Sequence, residues 1–267
     1  MNDLQKKLLE MFEWLTQFLN RHGLKYYALG GTMLGAARHN GFIPWDDDID
    51  IAMPREDYNR LAECMQKENQ SRFELETPDT KAKDFFYSFA KLYDTTTTLI
   101  ENNKYKIKRG ISIDIFPLDG IGNSREESFK NYKKITKAQN LLLLRTSGVR
   151  KGRSFIKNLG VLLFRLIPLN SKKLLKKLDR LCSKYSWQQC SWGGNLVGAW
   201  RFKEVMPKEI MGEPTLYQFE HLQICGAQDY DGYLTSLYGD WRKLPPEEKR
   251  VSHHDFLLLD LNKSYKE

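Results

Sequence analysis

Gly30-Gly31-Thr32-Met33-Leu34-Gly35-Ala36-Ala37-Arg38 is followed, past a turn at Asn40-Gly41, by Pro44-Trp45-Asp46-Asp47-Asp48-Ile49-Asp50-Ile51. These two stretches decide the fold. Tyr26 to Leu29 reads as a short strand running into the glycine pair, and Thr32 to His39 as a small-residue helix. Ile49 to Met53 has strand character. Residues two apart in a strand share a face, so Asp48 and Asp50 are expected side by side, about 6.5–7 Å apart at Cα, with Ile49 and Ile51 turned into a core. Four aspartates within five positions repel one another unless a cation neutralises them. Two carboxylates backed by apolar residues suit a hard cation, and magnesium favours carboxylates together with substrate phosphate oxygens. Asp46 and Asp47 are expected as supporting acids. The competing reading, a solvated acidic turn, sits poorly with Pro44, Trp45, Ile49 and Ile51.

Working outward, Leu4, Leu8, Met11, Leu15 and Phe18 recur at helical spacing, with Gly23 at the expected helix end. Arg55 to Gln66 returns to a helical period, and Phe85–Tyr93 and Thr95–Ile100 read as strands. Ile111-Ser112-Ile113-Asp114-Ile115-Phe116 alternates strictly and is the clearest strand. Asp114 faces away from its isoleucines. Alone it would be a solvent-facing acid; beside a carboxylate pair it becomes a third metal ligand, or the base that deprotonates an incoming hydroxyl. Gly30-Gly31-Thr32, between strand and helix, lets backbone N–H groups approach an anion at a helix N-terminus, or is simply a turn. Neither a G-x-x-x-x-G-K-[ST] loop nor a G-x-G-x-x-G fingerprint occurs.

The 267 residues allow one large domain or a core with an appended subdomain. Cys64, Cys182, Cys190 and Cys225 show neither C-x-x-C pairing nor zinc spacing, which suits a reduced, cytoplasmic setting. The longest apolar run, Leu159 to Leu169, is interrupted by Arg165 and is too short to span a bilayer, which needs about 20 residues. The formal charge of +8 is uneven. Ile121 to Arg180 holds sixteen Lys/Arg against three Asp/Glu, a local +13 that leaves −5 for the rest. That region reads as a solvated helical surface, a nucleic-acid patch or a face for an anionic membrane. Nucleic acid is the weakest of these, because aromatics are sparse in it. Lys151, Arg153, Lys157, Arg165, Lys172, Lys173, Lys176 and Lys177 frame the apolar run as in an interfacial helix.

The run Gly30 to Arg38 and the run Gly41 to Ile51 together resemble the LicD family, whose members include bacterial phosphocholine transferases and, distantly, fukutin-type proteins. Ile113-Asp114-Ile115-Phe116-Pro117-Leu118-Asp119 and the late Tyr233-Leu234, Tyr238-Gly239-Asp240 and Pro245-Pro246 extend the resemblance from about Leu24 to His254. It implies an α/β (α+β) nucleotidyltransferase-like mixed sheet flanked by helices, with a basic helical region and a C-terminal extension. The implied division is a catalytic core over 1–120, a basic helical region over 121–200 facing membrane or acceptor, and a segment over 201–267 closing the site. By the same resemblance Gly30 and Gly31 hold donor phosphates, while Asp48, Asp50 and Asp114 bind Mg2+, with Mn2+ as an alternative ion. The implied reaction takes CDP-choline, or a related CDP-activated donor, and places phosphocholine on a glycan or lipid-linked glycan, releasing CMP. Rival readings are transfer of the nucleotide half, a glycosyltransferase, and a non-catalytic membrane-surface protein. Trp241 replaces a tyrosine usual in relatives, and Ala227-Gln228 a proline commonly found before Asp229-Tyr230; both bear on acceptor and transferred group.

The remaining candidates are weaker. Arg38 and Lys91 would neutralise the diphosphate as charge develops on the leaving nucleotide, although Lys91 reads equally as a surface lysine. Asp119 is a further acid of the matched block, or the cap of a turn into Gly120. His253 and His254 would move a proton or grip a phosphate, or are structural.

Overall fold

The computed structural model describes residues 1–68, 70–80, 85–102, 106–146, 154, 156, 159–160, 162, 170–252 and 256–267. His253 and His254 lie outside the described residues, as do Lys151, Arg153, Lys157, Arg165 and all of the run 159–169 except Leu159, Gly160 and Leu162.

Helix α1 (Asp3–Arg21) buries the heptad-like stripe of leucines and aromatics expected from its spacing, and opens on a reciprocal cap between Asn2 and Gln5. After β1 (Tyr27–Ala28), α2 (Gly30–His39) ends on Asn40, whose left-handed φ of 53° makes the turn. β2 (Asp50–Pro54) and α3 (Arg55–Lys67) follow. The first half is completed by β3 (Phe73–Glu76), β4 (Ala90–Asp94), β5 (Thr98–Glu101), β6 (Lys108–Arg109) and β7 (Ser112–Gly122). The basic region contributes α4 (Arg125–Thr146) and α5 (Ser171–Cys182), which pack on each other and on β7. The last third holds β8 (Trp192–Gly194), β9 (Val205–Pro207), the short α6 (Lys208–Met211), the hairpin β10 (Thr215–Phe219) and β11 (Leu222–Gly226), then α7 (Tyr230–Tyr238) and β12 (Phe256–Asp260).

The main sheet runs β1-β2-β7-β4-β3, with β8 on the far half of β7 and β9 beyond it. Among the described residues only β2 and β7 pair in parallel, so the sheet is mixed and the protein is of the expected α+β class. A smaller sheet has the order β12-β5-β6. β7 is the spine: Ile113, Ile115, Leu118 and Ile121 are fully buried beneath α1, α3, α4 and α5. Three strands differ from expectation: that foreseen over 95–100 forms as Thr98–Glu101. The one foreseen over 85–93 starts only at Ala90, and the one foreseen to end at Phe116 runs on to Gly122. The extension exists because β8, distant in sequence, pairs with Asp119 to Gly122. A tertiary partner therefore overrides the turn that Pro117 and Gly120 suggest locally.

Candidate active site

Asp50 begins β2 directly opposite Asp114 of β7, and Lys91 of β4 lies directly opposite Asp114 on its other side. The three thus form a row across three adjacent strands, each step about 4.8 Å of inter-strand spacing. Lys91 Nζ donates to Asp114 Oδ1 at 2.6 Å and to Ser112 Oγ at 3.3 Å, and stands 3.7 Å from Glu101 Oε1. Asp46, Asp47 and Asp48 each bring a carboxylate oxygen within 4.8 Å of the others. Ile49 and Ile51 are fully buried as their spacing requires. The strand, however, starts at Asp50, so Asp48 belongs to the lead-in and not to the strand face. Asp46, expected in support, is at the centre: a Cβ on Gly31 would meet its Oδ2 at 2.5 Å. Gly31 is glycine because this carboxylate packs against its backbone.

The charges here are unbalanced. Burial, then the neighbouring Asp48, pushes the Asp46 carboxyl up to about 7. Burial followed by the charges of Asp48 and Asp114 raises Asp50 well above the ordinary carboxylate range. Asp114 is also raised by burial, with Lys91 opposing the shift. Burial alone would depress the Lys91 ammonium, but Asp114 and Glu101 outweigh it and keep it charged. The donor set, hard oxygens gathered with too few cations, fits a divalent ion such as magnesium.

The surroundings explain how the acids are held, and sequence reasoning missed most of them. Gln5 of α1, 2% exposed, donates its side-chain amide to the carbonyls of Ile43 and Asp46. Ser252 donates to Asp47. Tyr233 and Tyr238 of α7 reach the glycine pair: the Tyr233 hydroxyl accepts the Gly30 amide at 2.9 Å. Both the Tyr238 hydroxyl and Asp50 Oδ2 lie 3.8 Å from where a Cβ on Gly30 would sit. Gly30 itself has a φ of +47° that favours glycine. A Gln in a first helical turn carries no local signal for such a role, and Tyr233 and Tyr238 stand out only as part of the late matched block, which assigns them none.

Several candidates are placed differently from expectation. The Gly30 amide, expected on donor phosphate, is given to Tyr233. Thr32, expected with it, is buried, and its Oγ1 accepts the amide of Asp50 at 2.9 Å, so it anchors the aspartate. Lys91 is not a surface lysine; it is 5% exposed and sits over the rings of Tyr87 and Phe89. Arg38 is half-buried on α2, donating to the Trp241 carbonyl at 2.9 Å and to His39. Asp119 caps no turn: it is inside β7, 1% exposed, with both oxygens on Arg55, five residues or about 16 Å along the strand from Asp114. Its buried ion pair ties β7 to the start of α3, and Arg55 also reaches Asp179 of α5.

Aspartates gathered at the start of a parallel strand pair, beside a Gly-Gly helix start, make this a mixed α/β protein with a carboxylate cluster at those strand ends. Residues 23–152 match the domain described as LicD/FKTN/FKRP, nucleotidyltransferase domain. The lipopolysaccharide cholinephosphotransferase LicD of Haemophilus influenzae is 31% identical over 260 residues, covering 95% of this chain and 96% of that protein. An uncharacterized protein of Rickettsia typhi is 28% identical over 177 residues, 57% of each chain. Human ribitol 5-phosphate transferase FKRP is 40% identical over 52 residues, 20% of this chain and 10% of that protein. The chain belongs to the LicD family.

Proposed function

We propose that this chain transfers phosphocholine from CDP-choline to a hydroxyl of a cell-surface glycan or its lipid-linked precursor, with Mg2+ and release of CMP. The observation that carries the proposal is the convergence of Asp46, Asp48, Asp50 and Asp114 at the strand ends beside Gly30 and Gly31. The similarity along nearly the whole chain to a lipopolysaccharide cholinephosphotransferase supports the choline-bearing group and the glycan acceptor. With Asp114 left for the acceptor, Asp46, Asp48 and Asp50 would hold the metal. When bound, it supplies positive charge that offsets the diphosphate and the leaving nucleotide.

The acceptor oxygen forms its bond to the choline-bearing phosphorus, and the anhydride bond to the cytidylate breaks, its electron pair leaving with CMP. Asp114 takes the acceptor proton. Its burial favours the protonated form, which makes its carboxylate a stronger base than an exposed aspartate. Lys91 keeps that carboxylate aimed along the row. In this reading Arg38, on the same helix as the glycine pair, would meet charge on the departing nucleotide. Peripheral placement at the inner membrane face belongs to the same proposal, supported by the +13 of residues 121–180 and by exposed Leu143 and Leu144 on α4. No helix among the described residues is long and apolar enough to cross a membrane.

A donor screen with Mg2+ tests the proposal. CDP-choline, CDP-ribitol and CDP-glycerol are offered in turn, and the released nucleotide is weighed. CMP from CDP-choline is the expected outcome; release of phosphocholine with a cytidylylated acceptor would overturn it.

A further inference from the structure

Beyond the carboxylate site, α4, the 201–204 turn and α7 enclose a second concavity. One lobe, about 530 Å3, is lined by Trp192, Trp200, Phe202, Arg125, Lys203 and the shared Arg201, among others. The adjoining lobe, about 360 Å3, lies between Phe129, Lys133 and the same Arg201 and Phe202. Each is of ligand-site size. Among the described residues that line them there is no acidic side chain, although the surrounding chain carries many. Trp200 is 42% exposed and Phe129 47%, so aromatic surface reaches solvent, with Lys203 Nζ 5.6 Å from the Trp200 ring centre and Lys133 Nζ 4.7 Å from that of Phe129.

The cations retain donors. Arg125, Phe129 and Lys133 recur every four residues on α4 and so lie on one face of it. Arg201 holds a left-handed φ of 60° and gives one nitrogen to Gln139, leaving most of its five N–H groups. Lys203 spends one donor on the Leu237 carbonyl at 3.1 Å. An L-residue held left-handed at the junction of two lobes is the kind of local strain that function retains.

The cleft is also tied to the carboxylates. The Trp200 ring meets the Tyr238 ring edge-on at 4.8 Å, and Tyr238 lines the aspartate site. One helix, α7, serves both sides: Tyr233 accepts the Gly30 amide, while Ser236 and Leu237 hold the backbone and side chain of Lys203.

We propose that this cleft binds a phosphate-bearing saccharide, the segment of the acceptor next to the hydroxyl that receives the transferred group. This rests on the transfer reading for its place in the reaction. Flat aromatic faces cover the apolar faces of sugar rings, and an all-cationic lining recognises phosphate by charge-assisted hydrogen bonds. Neither component alone explains the other.

The test uses glucose 6-phosphate as probe, with glucose, inorganic phosphate and phosphatidylglycerol vesicles as comparisons, read by saturation-transfer NMR and tryptophan fluorescence on the full chain. Glucose 6-phosphate should bind wild type about tenfold more tightly than glucose or inorganic phosphate, and about tenfold more weakly to Trp200→Ala and to the double variant Arg125→Ala/Lys203→Ala. These side chains are exposed or rim the cleft, and unchanged thermal unfolding confirms that each variant folds. Absence of sugar-phosphate binding, equal binding in the variants, or a vesicle interaction that depends on these residues and is not competed by sugar phosphate overturns the proposal. CDP-choline binding to wild type is measured in parallel by thermal shift. A protein that takes the sugar phosphate here but not the donor would sink the transfer reading and leave the cleft; the converse would sink the cleft alone.

Discussion

Gln5 donates its side-chain amide to the backbone carbonyl of Asp46 at 2.8 Å, across forty-one residues of sequence. The same amide reaches Ile43 at 3.2 Å, so the first turn of α1 clamps the loop that carries the acids. Gln5→Leu keeps the volume and removes both donors; the Ile43 carbonyl still accepts the Asp46 amide at 2.9 Å, but the Asp46 carbonyl loses its Gln5 partner. The expected cost is about 2 kcal/mol of stability. It should also weaken Mg2+ affinity by about tenfold or more, as loss of groups that orient metal ligands does. Urea unfolding with and without Mg2+ separates these effects; a variant that lost stability equally in both would show that the clamp serves only the fold.

Asp50 and Asp114 lie opposite each other in parallel register with Asp48 beside them. Such crowding of like charges trades stability for binding. In a chelator at pH 8, Asp50→Asn is expected to be more stable than wild type by roughly 1 kcal/mol or more, while losing the stabilisation that Mg2+ gives wild type. Transfer should fall by about a hundredfold or more. Calorimetry of both proteins in chelator and in Mg2+ is the check, and a variant less stable than wild type in chelator would contradict the repulsion argument.

Lys91 stands between Asp114 and Glu101 with its side chain 7% exposed. Lys91→Met deletes the cation and strands the Asp114 carboxylate, a change expected to cost about 3–5 kcal/mol. Lys91→Arg keeps charge but not the compact geometry between the Tyr87 and Phe89 rings, so it should recover part of the stability and little of the activity. Denaturant midpoints and donor turnover of the two variants decide this; equal activity in Lys91→Arg would mean that only charge matters.

The site was legible in the sequence where local pattern and chemistry coincide. Ile49 and Ile51 announce a strand by period two, and that alternation places Asp50; Ile111 to Ile115 does the same for Asp114. Their facing each other was not legible, because register between β2 and β7 depends on a parallel pairing across sixty residues. Asp48 was assigned to the strand because alternation continues backwards through it, but backbone pairing stops at Asp50. Lys91 and Asp119 show the same limit from the other side. Their buried partners, Asp114 and Arg55, lie on neighbouring elements, so a charge that looks like surface, or like a turn cap, proves to be internal. The basic region was legible as composition only. What the fold adds is that Arg125 and Lys133 share a helix face with Phe129 and meet Arg201 and Lys203 across a cleft.

Glu204 closes the turn that carries Arg201 and Lys203, accepting the Trp200 amide at 2.8 Å while itself 5% exposed. Burial pushes its carboxyl up to about 7 against an ordinary 4.5, the Trp200 amide and the Asn195 side chain opposing the shift. The folded protein therefore holds this proton up to about pH 7, whereas the unfolded chain releases it near 4.5. Stability from this group is complete below about pH 4.5 and declines as pH rises to about 7, by a total on the order of 3 kcal/mol. Glu204→Gln keeps a neutral oxygen for the Trp200 amide and has nothing to titrate. Urea unfolding at pH 5 and pH 8 should show the variant close to wild type at the lower pH and more stable at the higher one. Because every other group is shared, the difference between the two proteins isolates Glu204. A difference that does not change with pH would mean that the carboxylate is compensated in the folded state, and that the turn beneath Trp200 is held equally well by the charged form.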